Sequence, residues 1–403
     1  MYIRQSKLRH LKAYKYSSVD HSLVSKYILK PFYTNFFIHV FPMSMAPNLI
    51  TLTGFFFVVV NFLTLLWYNP TLDRDCPGWV YASWGIGLFL YQTFDACDGT
   101  QARRTGQSGP LGELFDHGVD AINTTLGVVI FAGTVNLGQS WATLLTAFAS
   151  LGAFYLTTWE EYHTGTLYLG LVSGPVEGVL TLVAIYLITA IKGGSYWQQA
   201  LVPTLGLPAP AWLPEEIVKL SFANWTLVYG GVMLAFNVFQ SSQNVIRSRR
   251  SKDLPVLPAL AGLAPFAVTW TLLPLWLSQR PSILQQHLIP FLFFIGLSFA
   301  YQVGLIITAH LTKSEFPYAN ILLLPMLFGA ADAWAPKFGL TSVLGDGHYE
   351  IAYVFASLGL ALGVHGSFVV DVVTNICDYL DIWCLTIKHP KTEEGSAAQK
   401  KTA

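Results

Sequence analysis

Charge is what this sequence has least of. Only 11% of its 403 residues are Asp, Glu, Lys or Arg and 53% are hydrophobic, whereas soluble domains carry about a quarter charged residues. That composition does not suit a soluble monomer. The scarcity is also local: between Lys30 and Asp73 the one group that can ionise near neutrality is His39, and no Asp, Glu, Lys or Arg lies between Asp120 and Glu160. Each stretch exceeds the roughly 20 apolar residues of a bilayer-spanning helix. Neither sign is in excess. The 23 basic and 23 acidic residues cancel, so binding to nucleic acid has no electrostatic basis. Cysteine is scarce as well: Cys76, Cys97, Cys377 and Cys384 form no CxxC pair and read as packing residues.

What is present is the pattern of an all-α polytopic membrane protein. Apolar windows predict helices near 48–69, 78–98, 117–137, 141–160, 171–191, 222–246, 257–278, 283–310, 317–335 and 349–385, about ten transmembrane spans. Ahead of them, Arg4, Lys7, Arg9, Lys12 and Lys15 precede an apolar segment unlike a short signal-peptide core with its cleavage site. Within residues 22–40, Leu23, Tyr27, Ile28, Phe32, Phe36 and Val40 recur at helical spacing, predicting an amphipathic interfacial helix. With the N-terminus in the cytoplasm, 18 lysines and arginines fall in cytoplasmic segments and five (Arg74, Lys192, Lys219, Arg280, Lys337) fall outside. Both termini are therefore expected inside. The domain expectation is a cytoplasmic segment 1–45 with the interfacial helix, a transmembrane domain 46–385 and a cytoplasmic tail 386–403. The end of that tail, from Glu393, is of low complexity and expected to be disordered.

One stretch breaks the apolar background: Asp95-Ala-Cys-Asp98-Gly99-Thr-Gln-Ala102-Arg103, then, after a turn, Gly112-Glu-Leu-Phe-Asp116-His117-Gly-Val-Asp120. Charge at membrane depth is costly and marks a site. Asp95 and Asp98 are spaced i, i+3 and Asp116 and Asp120 i, i+4, so each pair shares a helix face. Gly106, Ser108, Gly109 and Pro110 reverse the chain between them, predicting a helical hairpin that gathers four carboxylates near the cytoplasmic surface. Without a cation those charges repel one another. An all-oxygen donor set suits two Mg²⁺ ions, with Mn²⁺ as an alternative, better than zinc. Gly99 and Ala102 leave the adjoining helix face bare for a ligand backbone, and Arg103 offers a bidentate donor to phosphate.

The spacing D-x2-DG-x2-AR-x8-G-x3-D-x3-D, filled by Asp95, Asp98, Gly99, Ala102, Arg103, Gly112, Asp116 and Asp120, matches the CDP-alcohol phosphotransferase motif at all eight fixed positions over 26 residues. The chain resembles that family, and beyond the motif its eukaryotic choline and ethanolamine phosphotransferases. The further matches are Ala46-Pro-Asn48-Leu-Ile-Thr51, Trp159-Glu-Glu-Tyr-His163, Gly174-Pro-Val-Glu177-Gly and Ile387-Lys-His-Pro390. The resemblance covers nearly the whole chain. It implies a ten-helix homodimeric enzyme of the endoplasmic reticulum or Golgi that makes phosphatidylcholine or phosphatidylethanolamine from diacylglycerol and CDP-choline or CDP-ethanolamine, with release of CMP.

The chemistry of the residues agrees with that implication. Two ions held by Asp95, Asp98, Asp116 and Asp120 would clamp a diphosphate and neutralise the leaving CMP. Asn48 carries an amide able to donate to the nucleotide, and it also suits a helix N-cap. The acceptor hydroxyl must lose a proton. Asp120 could take it, but a carboxylate beside dications is a weak base, whereas His117 has an ordinary pKa near 6.5 and displaces no metal. His117 is therefore the expected base, with Glu177 as the carboxylate that fixes its tautomer. Glu160, Glu161 and His163 read as interface or supporting residues. His310, His365, Asp371 and Asp378 carry no assignment from spacing. A Mg²⁺ transporter would also cluster aspartates, but transporter sites lie near the midplane between related halves, and here one hairpin holds every acid. Choline would favour an aromatic cage and ethanolamine hydrogen-bond acceptors, and neither can be placed by sequence among 12 Trp, 19 Tyr and 27 Phe.

Overall fold

The computed structural model describes residues 2–20, 22–169, 175–208, 214–345 and 347–390. The chain is all-α apart from two three-residue strands, and helix occupies each of the ten apolar windows. These helices are α1 (Pro47–Tyr68), α2 (Gly78–Thr105), α3 (Pro110–Thr134), α4 (Trp141–Thr164), α5 (Pro175–Lys192), α6 (Phe222–Ser251), α7 (Ala264–Gln279), α8 (Leu288–Thr312), α9 (Leu323–Trp334) and α10 (His348–Leu380). By length and composition, six segments among the described residues can cross a membrane: α1, α4, α6, α7 with the turn before it, α8 and α10.

Several boundaries differ from the sequence expectation, each for a local reason. Helix α2 runs past residue 98 to Thr105 and stops where Gly106 takes φ 73°, a left-handed cap open to glycine. Helix α3 starts at Pro110 rather than 117, because proline fits the first helical position, where no N–H is needed. The aspartate pairs thus lie inside the helices. The window 257–278 is broken between Leu257–Ala261 and α7, with Pro265 in the first turn of the latter. Helix α9 has only 12 residues, a rise of about 18 Å against roughly 30 Å of hydrocarbon. Helix α10 ends at Leu380, short of 385, with Asp381 at φ 56°. The start of the fifth window and the low-complexity tail from Glu393 lie outside the described residues.

In place of the single helix expected over residues 22–40 there are three pieces: a π-helical turn Ser25–Leu29, an α-helix Lys30–Asn35 and a 3-10 turn Phe37–Val40. Pro31 accounts for the π turn, since it lacks an N–H and crowds the preceding turn, and the second break falls at Phe36, where φ is −120°. Leu23, Tyr27, Ile28, Phe36 and Val40 remain exposed together, while Leu29, Tyr33, Ile38 and Phe41 are buried. The buried face packs with Ile50 of α1 and Cys97 of α2, and Phe41 meets Phe94 edge-on at 5.1 Å between ring centres. Gln101 Nε2 donates to Pro42 O at 2.8 Å and Arg104 Nη1 to Ile38 O at 2.8 Å, so α2 holds this segment from its inner end.

The helix most enclosed by the rest is α8, 89% of whose apolar window is buried; it packs against α3, α4 and α10. Small residues let the site-bearing helices approach one another. A Cβ on Gly87 of α2 would come within 2.6 Å of Asn61 of α1, and one on Gly54 of α1 within 2.8 Å of Phe94 Cβ. Gly296 of α8 likewise leaves room for Thr125 of α3. Dispersion contacts rather than the hydrophobic effect hold such helices together in lipid. Upstream, the 3-10 helix Gln5–Ala13 buries Leu8 and Leu11, and strand Ser18–Asp20 pairs in parallel with Leu167–Leu169. The first residues are thereby fastened beside α4.

At the opposite end, Arg280 Nε lies 3.3 Å from Glu350 and Nη2 3.6 Å from Asp332, all three side chains nearly inaccessible. Removing the cation from a buried pair leaves uncompensated charge. Arg280→Met should lower the melting temperature in detergent by several degrees while CDP-alcohol binding survives, as read by a thiol-reactive dye and by calorimetry.

Candidate active site

The C-terminal half of α2 and the N-terminal half of α3 face each other across a cleft of 650 Å³, which is open to solvent and lined by Asn48, Asp95, Asp98, Gly99, Ala102, Arg103, Asp116 and His117 among others. Its volume lies in the usual range for small-molecule sites, roughly 300–1,000 Å³. One carboxylate oxygen each from Asp95, Asp98 and Asp116 falls within a group no wider than 4.8 Å. Asp95 Oδ1 and Asp116 Oδ1 are buried with no hydrogen-bond donor among the described residues. Acids so placed fit a divalent cation, and the all-oxygen set suits a hard one. The spacing-based expectation that the two helices converge their acids therefore holds for these three. Asp120, one turn further along α3, accepts a hydrogen bond from Tyr91 Oη.

Two positions that steady the acids were given no role from sequence. Thr51 Oγ1 of α1 donates to Asp98 Oδ2, and Tyr91 holds Asp120 as described. Thr51 closes the segment 46–51 that resembles the family and sits three residues after Asn48 on the same face of α1, which were its visible signals. Asn48 is not an N-cap, because Pro47 takes the first helical position and the cap is Ala46. Its Nδ2 donates instead to Cys384 O at 3.1 Å, drawing the segment after α10 across the cleft rim. Thr386 pairs with Met45 on the same rim. From the N-terminal side Tyr14, Lys15 and Tyr16 complete the lining.

Gly99 and Ala102 leave the wall of α2 low. A Cβ built on Gly99 meets nothing nearer than Arg103 Nη1 at 3.6 Å, so a side chain there would occupy cleft space rather than clash with protein. Arg103 Nη2 donates to Thr100 Oγ1 at 3.0 Å, which holds the guanidinium along the cleft edge.

His117 turns away from Asp116 and Asp120 toward α4. Its Nδ1 is 4.0 Å from Glu161 Oε2. Glu177, at the start of α5, accepts a hydrogen bond from Ser22 Oγ through Oε1, while its Oε2 is buried without a partner among the described residues. Glu160 is occupied by Asn244 Nδ2 at 2.7 Å, and His163 stacks on Phe316 with ring centres 5.8 Å apart. Of the later polar residues, Asp371 accepts from the Tyr2 backbone N–H at 2.7 Å, and His365 is buried against Phe368.

Comparison with known proteins is consistent with this geometry. Residues 44–212, which include both halves of the cleft, match the family model described as CDP-alcohol phosphatidyltransferase. The chain is 44% identical to an uncharacterized CDP-alcohol phosphatidyltransferase class-I family protein of Schizosaccharomyces pombe, over 96% of this chain and 98% of that one. It is 41% identical to choline/ethanolaminephosphotransferase 1 of Saccharomyces cerevisiae over 97% and 99% of the two chains. It is also 36% identical to choline/ethanolaminephosphotransferase 1 of Arabidopsis thaliana over 96% and 98%. With its aspartate-lined cleft between two apolar helices and this full-length likeness, the chain belongs to the CDP-alcohol phosphatidyltransferase family and is an integral membrane enzyme.

Proposed function

We propose that the enzyme transfers phosphocholine or phosphoethanolamine from the CDP-alcohol to the free hydroxyl of diacylglycerol. The bond from the β-phosphorus to CMP breaks, a new P–O bond to the lipid forms, and the hydroxyl proton leaves. The observation that carries this proposal is the cluster of Asp95, Asp98 and Asp116 at the floor of a nucleotide-sized cleft. Asp95, Asp98, Asp116 and Asp120 would hold two divalent ions, Mg²⁺ or in its place Mn²⁺, whose charge offsets that of the diphosphate and of the departing CMP. Thr51 and Tyr91 steady Asp98 and Asp120 through hydrogen bonds to their carboxylates. Gly99 and Ala102 admit the nucleotide backbone against α2. Asn48 and Arg103 donate to it from opposite edges.

His117 is the base that receives the hydroxyl proton. Glu177, with one buried oxygen uncommitted, is its acid partner on the primary assignment. The 4.0 Å approach of Glu161 to Nδ1 supports a second assignment, in which Glu161 fixes the imidazole and leaves Nε2 for the hydroxyl. Kinetics of Glu177→Gln and Glu161→Gln separate the two: the true partner loses kcat severalfold at an unchanged KM for the CDP-alcohol.

Arg103 should bind a phosphate through two parallel N–H groups, a geometry an ammonium cannot copy. Arg103→Lys is therefore expected to weaken CDP-choline binding about tenfold or more, close to the loss in Arg103→Ala. Equal affinity in wild type and Arg103→Ala, by calorimetry, would return this residue to the surface.

The segments before α1 and after α10 meet at the cleft rim, and the basic residues concentrate in them. This supports a cytoplasmic cleft with both termini on that side. Homodimers in the endoplasmic reticulum or Golgi follow from the family likeness as part of the same proposal. Purified protein with Mg²⁺ and diacylglycerol, supplied in parallel with CDP-choline and CDP-ethanolamine, tests the activity and ranks the head groups. Failure with both would refute the assignment.

A further inference from the structure

Behind the aspartate cluster lies a second group of ligand-type side chains. Glu113 of α3, Glu161 of α4 and His310 of α8 each bring one donor atom into a group no wider than 4.8 Å. Glu113 is only 8% exposed and Glu161 4%. Both carboxylate oxygens of Glu113 are buried with no hydrogen-bond partner among the described residues. Among those residues, neither acid forms a salt bridge with lysine or arginine, and the one ion-pair contact of Glu161 is with His117, at 4.0 Å.

Contacts with α4 and α8 distinguish this group from the first. Glu113 and His117, spaced i, i+4, lie beside Asp116 and Asp120 on α3, but Glu113 groups with Glu161 and His310, and His117 Nδ1 approaches Glu161. A buried carboxylate that accepts no hydrogen bond is strongly destabilising. Two such acids at close range raise that cost unless a cation lies between them. The donor set also differs from the aspartate cluster, since one ligand is an imidazole. Nitrogen with carboxylate oxygens favours a transition ion of the zinc class over Mg²⁺, which takes oxygen almost alone. Glu113 lines the cleft wall, so an ion has a path inward from the same mouth.

We infer that Glu113, Glu161 and His310 form a third cation site, selective for Zn²⁺-class ions, that ties α3, α4 and α8 together beside His117. It stands apart from the two-ion proposal for the aspartates.

The test uses full-length protein in detergent, stripped with EDTA, then equilibrated with Zn²⁺ in excess Mg²⁺. Wild type should retain one zinc per chain by mass spectrometry, melt at a higher temperature with zinc than without, and show imidazole scattering in the zinc X-ray absorption spectrum. His310→Ala and Glu113→Gln should each weaken zinc binding at least tenfold, and Asp95→Asn should keep it. A wild type without zinc, or an all-oxygen shell in its spectrum, would overturn the inference whether or not the variants fold. So would zinc lost in Asp95→Asn but kept in folded His310→Ala. Zinc bound by an Asp95→Asn protein that no longer turns over would leave this site standing apart from the catalytic cluster.

Discussion

Asp95→Ala, Asp98→Ala and Asp116→Ala should each abolish phosphotransfer while the protein still folds and inserts. These three acids supply the oxygens that converge within 4.8 Å, and among the described residues no other acid stands in the same group to replace one of them. Loss of a ligand removes charge stabilisation of several kcal/mol on the transferring group, about a thousandfold or more in rate. EDTA should do the same to the unmutated enzyme, with recovery on adding Mg²⁺. A conservative Asp98→Asn change should fail almost as badly, since the amide keeps the Thr51 contact but loses the charge. CMP release by each variant, beside its elution profile in detergent, is the measurement. Near-normal turnover in any of the three would remove the acid cluster from the chemistry.

His117→Ala should lower turnover by about 10²–10⁴, the usual cost of removing a general base, and leave Mg²⁺-dependent CDP-alcohol binding in place. The geometry supports this split. His117 lies next to Asp116 in sequence but directs Nδ1 toward Glu161, away from the convergent oxygens. Asp120→Ala should lose both rate and nucleotide binding, because Asp120 is proposed as a metal ligand held by Tyr91. Calorimetry with CDP-choline and single-turnover kinetics on the same preparations distinguish the cases. Substantial activity in His117→Ala would pass the proton to Asp120.

The hairpin was legible because its determinants are local. Gly106, Pro110 and the i, i+3 and i, i+4 spacings of the acids depend only on helix geometry, and the structure places the α2 cap and the start of α3 at those residues. What supports the acids was hidden. The bond from Thr51 to Asp98 joins residues 47 apart and that from Tyr91 to Asp120 residues 29 apart. The first exists only once Gly54 and Gly87 have let α1 close on α2, and the second only once the hairpin has brought α3 against α2. The approach of Glu161 to His117 was obscured in the same way, because Glu161 comes from another helix and reads in sequence as a cytoplasmic end residue. Periodicity also overlooked continuity. It placed one helix over residues 22–40, where Pro31 and a break at Phe36 leave three pieces, and a full span at 317–335, where helix starts only at Leu323.

The most direct measurement is the stoichiometry of products from purified protein reconstituted in lipid with Mg²⁺, CDP-choline or CDP-ethanolamine, and diacylglycerol. CMP and phospholipid should appear in equal amounts, neither forming without diacylglycerol, and both should vanish in Asp98→Asn. Mg²⁺ flux across the reconstituted membrane without CMP release, or CMP release that ignores the lipid acceptor, would contradict the assignment of the cleft to phosphotransfer.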